Sequence, residues 1–169
     1  MDVKMINPFV HSVKRVFETM VHVKMTVGKP YVKKDNHLPA DVSGIIGFSG
    51  DAAGAVVVSF SNAVACKAAS SFAGIDIDEN HADFADAIGE LANMVAGNAK
   101  KEFTDLNIRI SLPSVVIGQQ FLVSNSRTAP RIVIPCTCEL GDINVEVAME
   151  FANAKLSSLG ASAPATVGA

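Results

Sequence analysis

The segment Ala85–Lys101, ADAIGELANMVAGNAKK, limits what this chain can become, because it reads as one helix with two opposed faces. At about 100° per residue, Phe84, Ile88, Leu91 and Val95 form an apolar stripe that has to be buried against another layer. Asp86, Glu90, Asn93 and Gly97 repeat the same spacing two residues out of phase. Two residues are roughly 200° of rotation, so this second stripe points away from the core. Ala82, Gly89, Ala96 and Gly97 are small, and leave the helix surface low around one carboxylate and one carboxamide. A glycine in a helix interior costs roughly 1 kcal/mol relative to alanine, which suggests that something comes close to the backbone here. The alternative is a solvated face whose glycines suit packing.

The wording of the helix goes further than its spacing. Glu90-x-x-Asn93, followed by Met94, Gly97, Asn98 and Lys100, resembles the motif helix of the CheC/CheX/FliY phosphatases of bacterial chemotaxis. Asp86, four residues before the glutamate, matches an acidic or hydroxyl position of that family's longer pattern. The family places a proline some twenty residues after the asparagine. Here Pro113, in Leu112-Pro-Ser-Val-Val-Ile-Gly118, follows Asn93 and, by that resemblance, is expected to border the candidate site.

The resemblance implies a division of labour between two proteins. In the family the helix docks against a phosphorylated response regulator of the CheY type. Carried over, Asn93 positions the attacking water and Glu90 pairs with a lysine of the regulator. The Mg²⁺ belongs to the regulator, and the chain needs no cofactor or metal of its own. Asp86, Gly89, Ala96, Gly97 and Lys100 are then expected at the partner surface. From the residues alone the pair makes a poor independent active site, since an amide is no general base and no nucleophile with a base stands nearby. Glu150-Phe-Ala-Asn153 repeats E-x-x-N at a strand end, without the helical context. A single convincing copy favours the CheX branch, whose members resemble homodimers joined through sheet edges. Two rivals stay open: a receiver-binding module of the same fold without hydrolysis, and a small-ligand sensor whose polar stripe is merely solvated.

Composition supports the general frame. The 169 residues suit one domain able to bury a substantial core, and 49% hydrophobic against 18% charged residues describes a globular chain. A net charge of −3, no Trp and one Tyr argue against nucleic-acid binding. The N-terminal MDVKMINPF has no apolar run of signal-peptide length, and no stretch approaches the roughly 20 residues of a membrane span. A soluble cytoplasmic protein without membrane insertion is expected. Three cysteines, an odd number, fit a reducing compartment, and Cys136 and Cys138 are expected as buried thiols sharing one strand face.

Taken in order, the pattern predicts an α/β (α+β) fold of the CheC-like/CheX-like kind, an antiparallel-rich sheet packed with helices and one long surface helix carrying E-x-x-N. Asn7 is expected to cap a first helix with Pro8 at its first position. Val21–Val27 reads as a half-buried strand, and Gly28–Asp41 as a solvated excursion with a short strand at Tyr31–Lys33. Val42–Phe48 and Gly54–Phe60 form a hairpin around Ser49–Ala53, the second strand apolar on both faces. Ser61 caps a helix over Asn62–Phe72 that stops at Gly74. The motif helix is expected to begin near Asn80 or His81 and to fray around Phe103–Asp105. The C-terminal part is β-rich: Ile108–Leu112, Val115–Gly118, Phe121–Val123, then a hairpin of Arg131–Leu140 and Ile143–Phe151 around Gly141-Asp142. Its last strand is expected to bury one face and to expose Asn144, Glu146 and Glu150. Pro135 cannot donate to a ladder, so its strand is expected at an edge or bulge, where a second subunit would dock. The domain is placed at residues 1–153, and residues 154–169, rich in Ala, Ser and Gly, are expected to be a disordered tail.

Overall fold

Runs of alternating and continuous apolar residues pair antiparallel throughout, and the amphipathic segments cover one face of the resulting sheet. This arrangement is seen in a computed structural model that describes residues 3–34, 37–38, 40–118, 121–122 and 129–152. The helices are α1 (Val3–Val16), α2 (Asn62–Ala73) and α3 (Phe84–Lys101). The strands are β1 (Thr26–Val27), β2 (Tyr31–Val32), β3 (His37–Leu38), β4 (Val42–Gly50), β5 (Ala52–Phe60), β6 (Ile108–Ile110), β7 (Ser114–Ile117), β8 (Phe121–Leu122), β9 (Ile132–Cys138) and β10 (Gly141–Phe151). The main sheet runs β1-β9-β10-β5-β4-β6, with β2 also on β9 and β7 also on β4, while β3 and β8 pair separately. The α/β (α+β) expectation with an antiparallel-rich sheet therefore holds.

The core lies between the helices and the inward residues of the central strands. Val56, Val58 and Phe60 of β5 and Ile143, Val145 and Val147 of β10 are buried there. Ring contacts tie the layers together, Phe9 to Phe48 at 5.9 Å, Phe17 to Phe60 at 6.3 Å and Phe103 to Phe151 at 5.8 Å. The α2 caps are as expected: Ser61 Oγ accepts from Val64 N–H at 3.4 Å, and Gly74 takes the left-handed conformation at φ 71.

Several expectations are corrected. α1 starts at Val3, so Asn7 is no cap and Pro8 lies inside the helix. The extra turn buries Met5 and Ile6. Two such side chains are worth about 1.5–3 kcal/mol each, against about 3 kcal/mol for an interior proline. The expected strand Val21–Val27 is a strand only at Thr26–Val27, because α1 runs on through a π-helical turn, Phe17–Val21, that ends at His22 with φ 62. Its burial nevertheless alternates, with Val21, Val23 and Met25 inside. The β4–β5 hairpin is tighter than expected, with Asp51 alone between the strands, and the β9–β10 turn is Glu139-Leu140 while Gly141 and Asp142 open β10. α3 begins later, at Phe84.

The solvated excursion is corrected at Lys33, and the exposed face of β10 at Glu146. Lys33 Nζ lies 2.6 Å from Glu146 Oε1, with both side chains less than 10% exposed at 8% and 5%. The centre of the sheet is thus covered on its second face as well. Ser43 and Ser59 share a buried hydrogen bond of 2.9 Å on that face. Pro135 does not sit on an edge strand: β9 carries β10 on one side, and β1 and β2 on the other. It falls between those two short strands, its carbonyl accepting from Gly28 N–H at 2.8 Å. A proline is tolerated there because the outer ladder is already interrupted. Residues 153–169, with the expected tail and Asn153, lie outside the described residues, as do most of the loop before Pro130 and Val123 of the Phe121–Val123 strand.

Candidate functional site

The helix α3 owes its placement to the sheet below it. Phe84, Ile88, Leu91 and Val95 are at most 1% exposed, so the apolar stripe faces inward as expected. Gly44 of β4 lets the helix come close, since a Cβ built there would stand 2.7 Å from Ala92 Cβ and 3.2 Å from the Ile88 carbonyl. α1 packs beside α3, and Ser12 Oγ donates to the Val95 carbonyl at 2.7 Å across that contact. Asp86 in the first turn, and Lys100 and Lys101 in the last, complement the helix dipole.

On the outward stripe Asp86 and Glu90 are exposed, while Asn93, Gly97 and Lys100 are half-buried. Asn93 Nδ2 donates to Glu90 Oε2 at 3.3 Å, which holds the carboxamide against the carboxylate. The two residues of the motif therefore stand together at the surface.

Two of the small residues do not belong to that surface. Gly89 and Ala96 are buried, and Ala96 is 0% exposed. The expectation that they meet a partner is corrected, because α3 is covered on its flanks as well as beneath. At Gly89 the close neighbour is the chain itself: a built Cβ would lie 3.3 Å from Pro113 Cβ and 3.4 Å from Val115 Cγ2. Pro113 is exposed and stands beside Gly89 of the motif helix. At Gly97 a built Cβ would lie 3.9 Å from Ile110 Cδ1.

Gly89, Asn93 and Gly97 lie one turn apart on the same side of α3. The segment from Ile110 to Pro113 thus spans the turn of α3 that carries Asn93. Sequence reasoning missed this placement of the connector along α3 and the close approach at Gly44. The available signal was a short polar-apolar-proline connector, Ser111-Leu112-Pro113, between two strand-like runs. Among the described residues, no group of three or more His, Cys, Asp or Glu side chains could hold a metal ion. Nor, among them, is any helix long and apolar enough to cross a membrane.

Comparison with known proteins returns the same family as the motif. Residues 42–137 match the family described as "Chemotaxis phosphatase CheX". The chain is 30% identical over 129 residues to the CheY-P phosphatase CheX of Thermotoga maritima, covering 74% of this chain and 83% of that protein. In three dimensions it is similar to the chemotaxis protein CheX of Desulfovibrio desulfuricans, with a TM-score of 0.80, 30% identity and coverage of 89% of this chain and 100% of that one. The fold is also shared with the CheX of a CheX–CheY–BeF₃–Mg²⁺ complex from Borrelia burgdorferi, at a TM-score of 0.73 and 22% identity, covering 86% and 97% of the two chains.

Proposed function

Because the chain belongs to the CheX family of chemotaxis phosphatases, we propose that it hydrolyses the aspartyl phosphate of a CheY-type response regulator, with Asn93 and Glu90 as the acting pair. The observation that carries this reading is the carboxamide and carboxylate held 3.3 Å apart on the outward face of α3. Phosphoryl transfer asks chiefly for positioning and charge stabilisation. The Asn93 carboxamide suits the first task, because its oxygen accepts from a water while its N–H₂ donates to a phosphoryl oxygen. The water then attacks phosphorus in line, the bond to the regulator's carboxylate oxygen breaks, and inorganic phosphate leaves.

Glu90 has two partners in sequence. In the free chain it receives the Asn93 N–H and keeps the amide at the surface. On docking, a lysine of the regulator takes the carboxylate and leaves the amide to the water. Asp86, Gly97 and Lys100 extend the same stripe and meet the regulator around the pair, and Pro113 borders it. The Mg²⁺ comes with the regulator, where it neutralises the phosphoryl oxygens. We also propose that the chain acts as a homodimer.

The test follows the decay of an acyl-phosphorylated receiver with and without the chain. Wild type should accelerate decay, and Asn93→Ala should lose that acceleration by about 100-fold or more, the scale of a lost transition-state hydrogen bond. Undiminished turnover by Asn93→Ala would remove the water-positioning role.

A further inference from the structure

The polar stripe of α3 offers chemistry but little adhesion. Glu90 and Asp86 are exposed, and an exposed ion pair is worth only about 0–1 kcal/mol. A complex that holds a water in line with phosphorus needs a desolvated contact close to the reacting pair.

Leu112 stands where such a contact is required. Pro113 lies against Gly89, one turn before Asn93, and Ile110 approaches Gly97, one turn after it, so the connector carrying Leu112 passes Asn93. Leu112 is 87% exposed, the highest value for a large apolar residue among those described, and the next is Val32 at 57%. Its backbone is fixed in that position. Ser111 N–H donates to the Gly47 carbonyl at 2.9 Å, Ser111 Oγ accepts from Gly47 N–H at 2.9 Å, and the same Oγ donates to the Leu112 carbonyl at 2.7 Å. Pro113 adds a fixed φ and restricts Leu112 to extended conformations. The connector therefore cannot easily turn the leucine inward.

Resting on the phosphatase reading above, we infer that Leu112 is the apolar anchor that seats the phosphorylated receiver over Glu90 and Asn93, and that it takes an apolar patch of the receiver beside its acyl phosphate. The polar pair acts on the phosphoryl group, while Leu112 and the adjoining ring of Pro113 supply the water-excluding contact. Leu112 is a specificity-determining residue in this arrangement, since a receiver with a charge at the facing position would leave that charge desolvated.

The experiment compares wild type, Leu112→Ser and Leu112→Met in steady-state dephosphorylation of the receiver, with light scattering on each variant. Leu112→Ser should raise KM about tenfold, equivalent to about 1.4 kcal/mol, and leave kcat within about twofold, the pattern of lost uniform binding. Leu112→Met, of similar volume, should restore KM. An unchanged KM in Leu112→Ser overturns the inference, and so does a loss of kcat alone. A dimer that dissociates in Leu112→Ser also overturns it, by assigning the leucine to a second copy of this chain. If wild type fails to accelerate decay, the phosphatase reading falls, and titration against the receiver loaded with Mg²⁺ and beryllofluoride decides on the anchor alone. Tenfold weaker binding by Leu112→Ser sustains it, and equal binding ends it.

Discussion

On the outward stripe, exposed Glu90 and half-buried Asn93 are bonded directly to one another. If the proposed mechanism holds, Glu90→Ala should lower activity through both KM and kcat, because it removes the charge proposed to meet the regulator's lysine and the acceptor that holds the Asn93 amide. Steady-state kinetics separates this from Asn93→Ala, whose loss should lie in kcat. The pair was legible in the sequence because spacing fixes which side chains share a helix face. The burial of Gly89 and Ala96 was not, since it depends on a connector and a helix distant in sequence. A second residue shows the same limit from the other side. Cys136 is the buried thiol its strand pattern implies, and burial, followed by the neighbouring Cys138, pushes it up to about 12. In the unfolded chain the thiol ionises near its ordinary value, whereas the folded chain keeps its proton, so between those values the unfolded state binds fewer protons. Stability should therefore fall as pH rises above about 9, by up to about 1.4 kcal/mol per unit. Denaturant titrations of wild type and Cys136→Ala at pH 8 and 10 should show the extra slope in wild type only.

At the scale of elements, α3 is positioned by what it rests on. Gly44 of β4 is the tightest point, with 2.7 Å between a built Cβ and Ala92 Cβ, and the Ile88 carbonyl on the other side at 3.2 Å. Gly44→Ala should destabilise the fold by about 1–3 kcal/mol through overpacking, read as a lower denaturant midpoint, and should displace the motif face enough to reduce turnover as well. A variant as stable and as active as wild type would mean that the helix rides higher than its contacts indicate. The elements themselves were largely readable. Ser61 and Gly74 bound α2 where capping chemistry puts them, and GAVVVSF became the two-sided central strand β5. The errors fell where tertiary burial overrode local punctuation. Pro8 yielded to the burial of Met5 and Ile6, and Gly141-Asp142 was absorbed into β10 because pairing with β9 extends to Cys138. Glu146 broke the expected alternation for a similar reason, as it is matched by Lys33, 113 residues away, which no local pattern announces.

For the molecule as a whole, the sheet has two ends with different exposures. At one end, among the described residues, β9 is flanked by β1 and β2, two residues each, and Tyr31 and Val32 of β2 are 54% and 57% exposed. Short strands blunt an edge against indiscriminate pairing, yet exposed apolar residues at that edge favour contact with another surface. The opposite end holds β6, β7 and the connector with Leu112, which the proposed reaction reserves for the receiver. A homodimer compatible with that reaction therefore uses the β1/β2 end, leaving both motif faces open. An edge strand at Pro135 does not support that dimer, because β1 and β2 flank β9 there, so the proposed homodimer rests on the family resemblance and on the exposed β2 residues. Light scattering should give about twice the 17.7 kDa chain mass at tens of micromolar, the range in which a standard-size interface of about 1,600 Å² associates. Tyr31→Glu should yield a monomer, because a carboxylate buried across the contact is unpaired, while its decay-acceleration per chain should remain close to wild type. A wild-type chain that is monomeric at these concentrations would rule the dimer out, and a dimer that withstands Tyr31→Glu would move its interface away from β2.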